Sequence, residues 1–292
     1  GEVVGEVLVA RTPFIFDTNI QNYGSRDVGR WGGVARVRFT GLTGMGDLTT
    51  ASFYSTPDFD EQQVVQLAHE FRVGGEGLRL GAGYTYAWTR PDLAAFRFKS
   101  KTQVVNLFAS YPLTLRQAHR LTIGGGLDLI DQDIGFGGVP LNRDRLRVVN
   151  LRADASWVDP ASIAGRGGYN PSEPRWALST SLEARQGVNF LGASDDCGHG
   201  GAACFLPGAV PLTRVDGKPD AFLVRANALA EWRPHKLFTL SAAPRAQCAS
   251  DPLLAYEEFS GGNFTIGRGF DPGTIIGDSG VGVALEARYG SF

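Results

Sequence analysis

The stretch LRLGAGYTYAW, residues 78–88, decides the fold. Leu78, Leu80, Ala82, Tyr84, Tyr86 and Trp88 fall on one side of an extended chain. Arg79, Gly81, Gly83 and Thr85 fall on the other. Successive strand side chains point to opposite faces, so this is a strand with one apolar and one polar side. The pattern recurs in both directions along the chain. Trp31, Gly33, Ala35, Val37 and Phe39 oppose Arg36, Arg38 and Thr40. Val149, Leu151, Ala153, Ala155 and Trp157 oppose Asn150, Arg152 and Asp154. Phe222, Val224, Ala226, Ala228, Ala230 and Trp232 oppose Arg225, Asn227 and Glu231. Val281, Val283, Leu285, Ala287 and Tyr289 oppose Glu286 and Arg288. The segments run about 10 to 15 residues, whereas soluble strands average five or six. Their apolar faces end in aromatics: Trp31, Trp88, Tyr111, Trp157, Trp232 and Tyr289. A soluble sandwich also alternates. Length, terminal aromatics and charged opposite faces together favour an all-β transmembrane barrel, apolar toward lipid and polar toward a wet lumen.

Composition removes other classes. The 292 residues carry 28 basic against 30 acidic groups, so no nucleic-acid partner is expected. Of the basic residues 24 are Arg. No apolar run reaches the roughly 18 residues of a membrane helix. Gly124, Gly125 and Gly126 are not a phosphate loop, because no helix follows them; they fit a thinned barrel wall. No cofactor, metal or catalytic residue is expected. Cys197 and Cys204 share the segment DDCGHGGAACFLPG. A disulfide across this short loop suits an oxidising compartment. Free thiols, or a metal held with His199, are the alternatives, although three ligands fall short of the usual four. Cys248 stands alone.

About twelve antiparallel strands are expected, near residues 10–20, 27–41, 47–56, 61–74, 77–90, 99–111, 119–131, 143–158, 175–189, 220–233, 236–248 and 279–290. Short connections at 41–47, 72–77, 112–119 and 233–236 alternate with long ones at 89–100, 131–144, 189–219 and 249–277. Outer-membrane barrels alternate short periplasmic turns with long outer loops in this way. The turn 159–175 breaks the pattern, falling on the short side yet being long. Along the polar faces Arg36, Arg38, Arg72, Arg79, Arg152, Arg185, Arg225 and Arg288 mix with Glu70, Asp128, Asp154, Glu183, Glu231 and Glu286. Mutual pairing on a solvated wall accounts for this mixture. So does a polar conduit that holds no passing segment tightly.

The C-terminal stretch is the most informative. Gln247 and Leu253–Leu254 precede Glu257–Glu258–Phe259; then come Gly261–Gly262, Gly267-Arg268-Gly269-Phe270 with Asp271, Gly277-Asp278-Ser279-Gly280, and Glu286. Near the N-terminus stand Asn22-Tyr23-Gly24-Ser25, Gly29-Arg30, and Gly44-x-Gly46-Asp47. Together these resemble the transporters of two-partner secretion, the hemolysin-activator or filamentous-hemagglutinin-transporter family of the Omp85 superfamily. The resemblance spans nearly the whole chain. Gly277-Asp278-Ser279-Gly280 also copies the nucleophile motif of chymotrypsin-like proteases, but no base and orienting group accompany it.

The resemblance implies a monomeric barrel in the bacterial outer membrane, in contact with its lipid, that exports a large partner exoprotein of the hemolysin or adhesin type. An outer-membrane assembly factor of the same superfamily and a passive diffusion pore are the alternatives. The family barrel has sixteen strands behind two POTRA domains. Residues 1–12 then correspond to the end of a POTRA domain or a linker, and 13–292 to an incomplete barrel with loop 249–277 folded into the lumen. In the family the Arg-Gly-Phe/Tyr tip of that loop docks on the inner wall. Arg268 would be the docking arginine and Phe270 its anchor, with Gly267 and Gly269 taking positive φ near the wall. The family more often has a β-branched residue at position 267. Its usual carboxylate partner lies on the strand after the twelfth, and Glu286 is the nearest candidate within this chain.

Overall fold

The computed structural model describes residues 12–91, 98–262 and 266–290. Residues 1–11, which hold most of the expected POTRA end or linker, lie outside them. Twelve strands form one antiparallel sheet in chain order. They are β1 (Phe14–Gln21), β2 (Gly32–Thr40), β3 (Leu48–Ser55), β4 (Gln62–Val73), β5 (Leu78–Thr89), β6 (Phe98–Leu115), β7 (His119–Phe136), β8 (Val139–Val158), β9 (Trp176–Gly187), β10 (Phe222–His235), β11 (Phe238–Ala249) and β14 (Gly280–Tyr289). Between the last two lies a separate hairpin, β12 (Phe259–Gly261) with β13 (Ile275–Gly277). Strands β1 and β14 are the two edges of the large sheet.

The register keeps each apolar face continuous. Trp232 sits opposite Trp176, Val224 opposite Ala184, and Leu285 opposite Ala242. On this outer face Leu151, Leu182, Trp232, Val281, Leu285 and Tyr289 are exposed. From Phe222 to Trp232 the strand advances about 34 Å at ~3.4 Å per residue. At the usual tilt of about 40° that covers the ~25 Å apolar band of an outer-membrane barrel.

Three strands run longer than the sequence indicates. The expected long connection 131–144 is a two-residue turn, Gly137–Gly138, with φ of 60° and 92°. Both positions need positive φ, which glycine supplies without strain. The flanking charges look like a loop in sequence but form a ladder: Lys101 faces Asp133, Asp133 faces Arg143, and Asp131 faces Arg145. Arg143 reaches Asp133 at 2.7 Å and Arg145 reaches Asp131 at 3.1 Å. Polarity here marks strands leaving the apolar band rather than ending.

The other face carries the loops. The segment between β9 and β10 folds onto the ends of β7 and β8, where Ile130, Leu146, Val148, Cys197, Leu212 and Leu254 form a buried cluster. Cys197 and Cys204 form a disulfide with Cα atoms 4.9 Å apart, so their sulfurs are not available as metal ligands. Thr213 donates its backbone N–H to the buried Asp144 carboxylate at 2.9 Å.

Candidate functional site

The chain between β11 and β14 folds onto the inner face and is held there at several levels. At the first, Leu253 and Leu254 are buried. Leu253 packs with Leu223 and Ala221, whereas Leu254 enters the disulfide cluster. An apolar pair in an otherwise polar loop needs such cover, each Leu contributing about 1.5–3 kcal/mol when removed from water.

Next comes a clasp around Glu257, a buried carboxylate on the loop. Arg185 of β9 donates to both of its oxygens, Nη2 at 2.8 Å and Nε at 3.2 Å. The same guanidinium donates from Nη1 to Asp128 at 2.9 Å and Glu183 at 3.0 Å. Arg225 of β10 reaches Glu257 Oε2 at 2.6 Å and the Gln247 side chain at 2.8 Å. Gln247 then donates to the Glu257 and Asp278 carbonyls, each at 2.9 Å. The carboxylate thus ties two wall strands, β9 and β10, and the Glu257 carbonyl adds β11 through Gln247. The planar fork of arginine suits this task, because it serves several acceptors at fixed angles.

Arg214, on the disulfide-bearing segment, ties the two loops together. It donates to Glu258 at 2.9 Å and also to Asp278. Asp278 Oδ1 additionally accepts the Leu253 N–H at 2.8 Å. Burial raises the Asp278 carboxyl, but the Leu253 N–H and Arg214 outweigh it and hold it below the usual carboxylate value. Lys218 pairs with Asp196, and its N–H donates to the Pro252 carbonyl at 2.8 Å. Ser279 Oγ accepts the Ala249 N–H at 3.0 Å. The protease-like tetrapeptide is therefore a loop anchor, with its aspartate committed to Arg214.

The last level is the tip. Arg268 forms an ion pair with Glu286 on β14, the candidate within the chain. Glycines 280 and 282, on the inner face of the same strand, make room for the loop. A Cβ on Gly280 would meet the Phe259 ring at 2.5 Å, and one on Gly282 would meet Ile266 at 2.7 Å. Gly261 and Gly277 pair with their partners in the small hairpin, and Gly262 donates to the Ile266 carbonyl at 2.6 Å. Gly267 and Gly269 have φ of 81° and 96°. Nothing lies within 4 Å of a Cβ placed on Gly269, so its role is conformational and not a close approach to the wall. Phe270, expected as the anchor, is 58 % exposed.

The N-terminal motif meets this tip. Gly24 donates to the Arg30 carbonyl at 3.2 Å, closing a turn that contains Ser25 and directly follows Asn22 and Tyr23; Gly29 in it has φ of 84°. Asp271 accepts the Arg26 N–H at 3.2 Å and faces the Arg30 guanidinium at 3.7 Å. The two motifs, 245 residues apart between Arg26 and Asp271, are thus in contact. In the β2–β3 turn, burial is outweighed at Asp47 by the Thr43 hydroxyl and neighbouring N–H groups, which lower its carboxyl to about 2.

Sequence reasoning named Arg185, Arg225, Asp128, Glu183 and Glu257 singly but did not join them, and it missed Arg214. Beyond the clasp the inner wall stays open. A cavity of about 450 Å³ lies against Arg79, Asn106, Asn150, Arg152 and Asp154. Arg79 pairs with Glu70, and Arg152 with Asp154. The charges around this cavity are thus paired on the wall itself.

The family model for the haemolysin secretion/activation protein ShlB/FhaC/HecB matches residues 6–286. Among solved structures the chain is similar to CdiB from Escherichia coli, with a TM-score of 0.78 and 16 % identity over 98 % of this chain and 49 % of that one. CdiB from Acinetobacter baumannii gives 0.64 and 17 %, over 94 % and 45 %. BamA from Haemophilus ducreyi, in a form lacking POTRA domains 1–3, gives 0.62 and 13 %, over 95 % and 53 %. The chain thus spans about half the length of these structures. No curated protein matches it significantly.

Proposed function

The chain belongs to the haemolysin secretion/activation family ShlB/FhaC/HecB, and from that premise we propose that it builds the wall and plug of an outer-membrane transporter for a large secreted exoprotein. The family is one of secretion proteins, and its members are β-barrels of the outer membrane. The exoprotein is of the hemolysin or adhesin type, and the transporter acts as a monomer surrounded by lipid. Residues 1–12 join the barrel to a periplasmic POTRA domain.

The observation that carries this reading is the inward-folded loop. It occupies the polar face through polar and charged contacts: the Glu257 clasp, the Arg214 bridge and the Arg268–Glu286 pair. The first two positions set the plug, and Arg268 fixes its tip. Withdrawal of the loop joins its space to the wet cavity. An unfolded chain can slide along such a wall of paired charges without strong attachment. Folding of the exoprotein outside the cell supplies the direction of movement. The likeness to BamA is one of fold, whereas the family model selects the secretion branch.

Deleting the gene in the producing bacterium and comparing the proteins of the culture medium tests the proposal. Loss of one large protein is expected. Arg268→Ala should reduce that protein in the medium while the barrel still assembles in the membrane. An unchanged medium after deletion would refute the transport reading.

A further inference from the structure

The long turn 159–175 is not explained by transport. It lies at the end of the sheet opposite the plug. Its first residue, Asp159, accepts from Ala161 N, Ser162 N and Ser162 Oγ at 3.2, 3.2 and 2.6 Å, so both carboxylate oxygens are occupied. Tyr169 donates to the Arg233 carbonyl at 3.0 Å, pinning the turn to the foot of β10. Arg233 itself is buried and committed to Thr239 and the Pro174 carbonyl. These contacts give the turn one shape.

That shape encloses a cavity of about 390 Å³ lined by Asp159, Arg166, Tyr169, Arg175, Trp176 and Trp232. Trp176 and Trp232 are register partners on the lipid-facing side, each partly exposed. Trp157 stands on the next strand. Indoles at this position mark a membrane interface. Arg166 and Arg175 are exposed, and Arg175 lies within electrostatic reach of the occupied Asp159. Lys236 adds a third cation against Gly168. Two acidic groups belong to the turn: Asp159, which is occupied, and Glu173, which is half-buried and engaged. The cavity therefore combines exposed guanidinium groups with an aromatic floor at the level where lipid headgroups lie.

We propose that this cavity binds the phosphodiester headgroup of an anionic phospholipid in the periplasmic leaflet. The proposal rests on the outer-membrane reading above. The arginines would take the phosphate oxygens by the forked hydrogen bonding that guanidinium offers. The tryptophans would flank the glycerol and the first acyl carbons. Bound lipid would seat β8–β10, the wall that also carries Arg185 and Arg225.

The test uses the folded chain in detergent micelles containing phosphatidylglycerol or phosphatidylcholine with brominated acyl chains. Trp31 and Trp88, at other sites, are replaced by Phe, and tryptophan emission is read. Phosphatidylglycerol should quench at lower mole fraction than phosphatidylcholine. Arg166→Gln and Arg175→Gln should each raise its half-quenching mole fraction about fivefold. Equal quenching by the two lipids, or preference unchanged in the double variant, overturns the headgroup site. Displacement by inorganic phosphate at millimolar concentration assigns the pocket to free phosphate and also overturns the lipid. Quenching by neither lipid overturns the membrane reading as well. The comparison of lipids on the unsubstituted arginines decides the matter even where a variant fails to fold.

Discussion

Arg185→Ala should release the plug more than any other single substitution on the wall. The guanidinium is buried and makes two contacts to Glu257, one to Asp128 and one to Glu183. Its removal leaves three carboxylates facing one another, and Arg225 reaches just Glu257 among them. Breaking a buried charge pair from one side costs about 3–5 kcal/mol. Asp128 and Glu183 retain 16 % and 19 % of their side-chain exposure, which favours the lower end. About 3 kcal/mol corresponds to a roughly 150-fold shift toward the released loop. Glu257→Gln removes a charge but keeps an acceptor, and Arg185 keeps two carboxylates, so about 2 kcal/mol is expected. Arg225→Ala should cost less, because Arg185 continues to hold Glu257. Hydrogen exchange over residues 252–259 reads this opening directly. The predicted order of acceleration is Arg185→Ala, then Glu257→Gln, then Arg225→Ala. Wild-type exchange in a folded Arg185→Ala barrel would refute the clasp.

Other consequences follow from the same contacts. Gly282→Val places a branched side chain where Ile266 packs, and overpacking of about 1–3 kcal/mol should speed exchange in the hairpin without unfolding the barrel. Replacing Cys197 and Cys204 by Ser opens a short loop, with sequence separation 7, and should destabilise its fold by about 2–3 kcal/mol; thermal unfolding with and without reductant checks this. Acid should free the loops from each other. Asp278 is held below its ordinary value of 3.8, so its contribution is complete above that pH and is lost as pH falls through the depressed value. Lys218 is raised above 10.5, chiefly by its hydrogen bond with Asp196. Its contribution is complete below that pH and is lost as pH rises through the raised value. The opening free energy at Leu253 and Leu254, taken from exchange corrected for its intrinsic pH dependence, should therefore be flat between these limits and fall outside them.

The sheet was legible because lipid on one side and water on the other impose alternation on every strand. The connections could be placed where that alternation lapsed, with one clear exception. It failed at β7–β8, where the strands continue beyond the apolar band and charged pairs replace the apolar face. Arg268 and Glu286 were named as candidates through a motif and a strand parity. The clasp was not, because pairing Arg185 with Glu257 across 72 residues depends on how a long loop folds back. The buried pair Leu253–Leu254 was the available sign that the loop had a dry side. Arg214 lay in a segment whose cysteines drew attention from its charge.

The central claim is that the plug must leave the wall for export. Ile266→Cys with Gly282→Cys tests it most directly, in a Cys248→Ser background. A Cβ on residue 282 would lie 2.7 Å from Ile266 Cγ2, within reach of a disulfide. The account predicts that the oxidised variant stops delivering the exoprotein to the medium and that reduction restores delivery. Normal export with the cross-link demonstrably formed would contradict it.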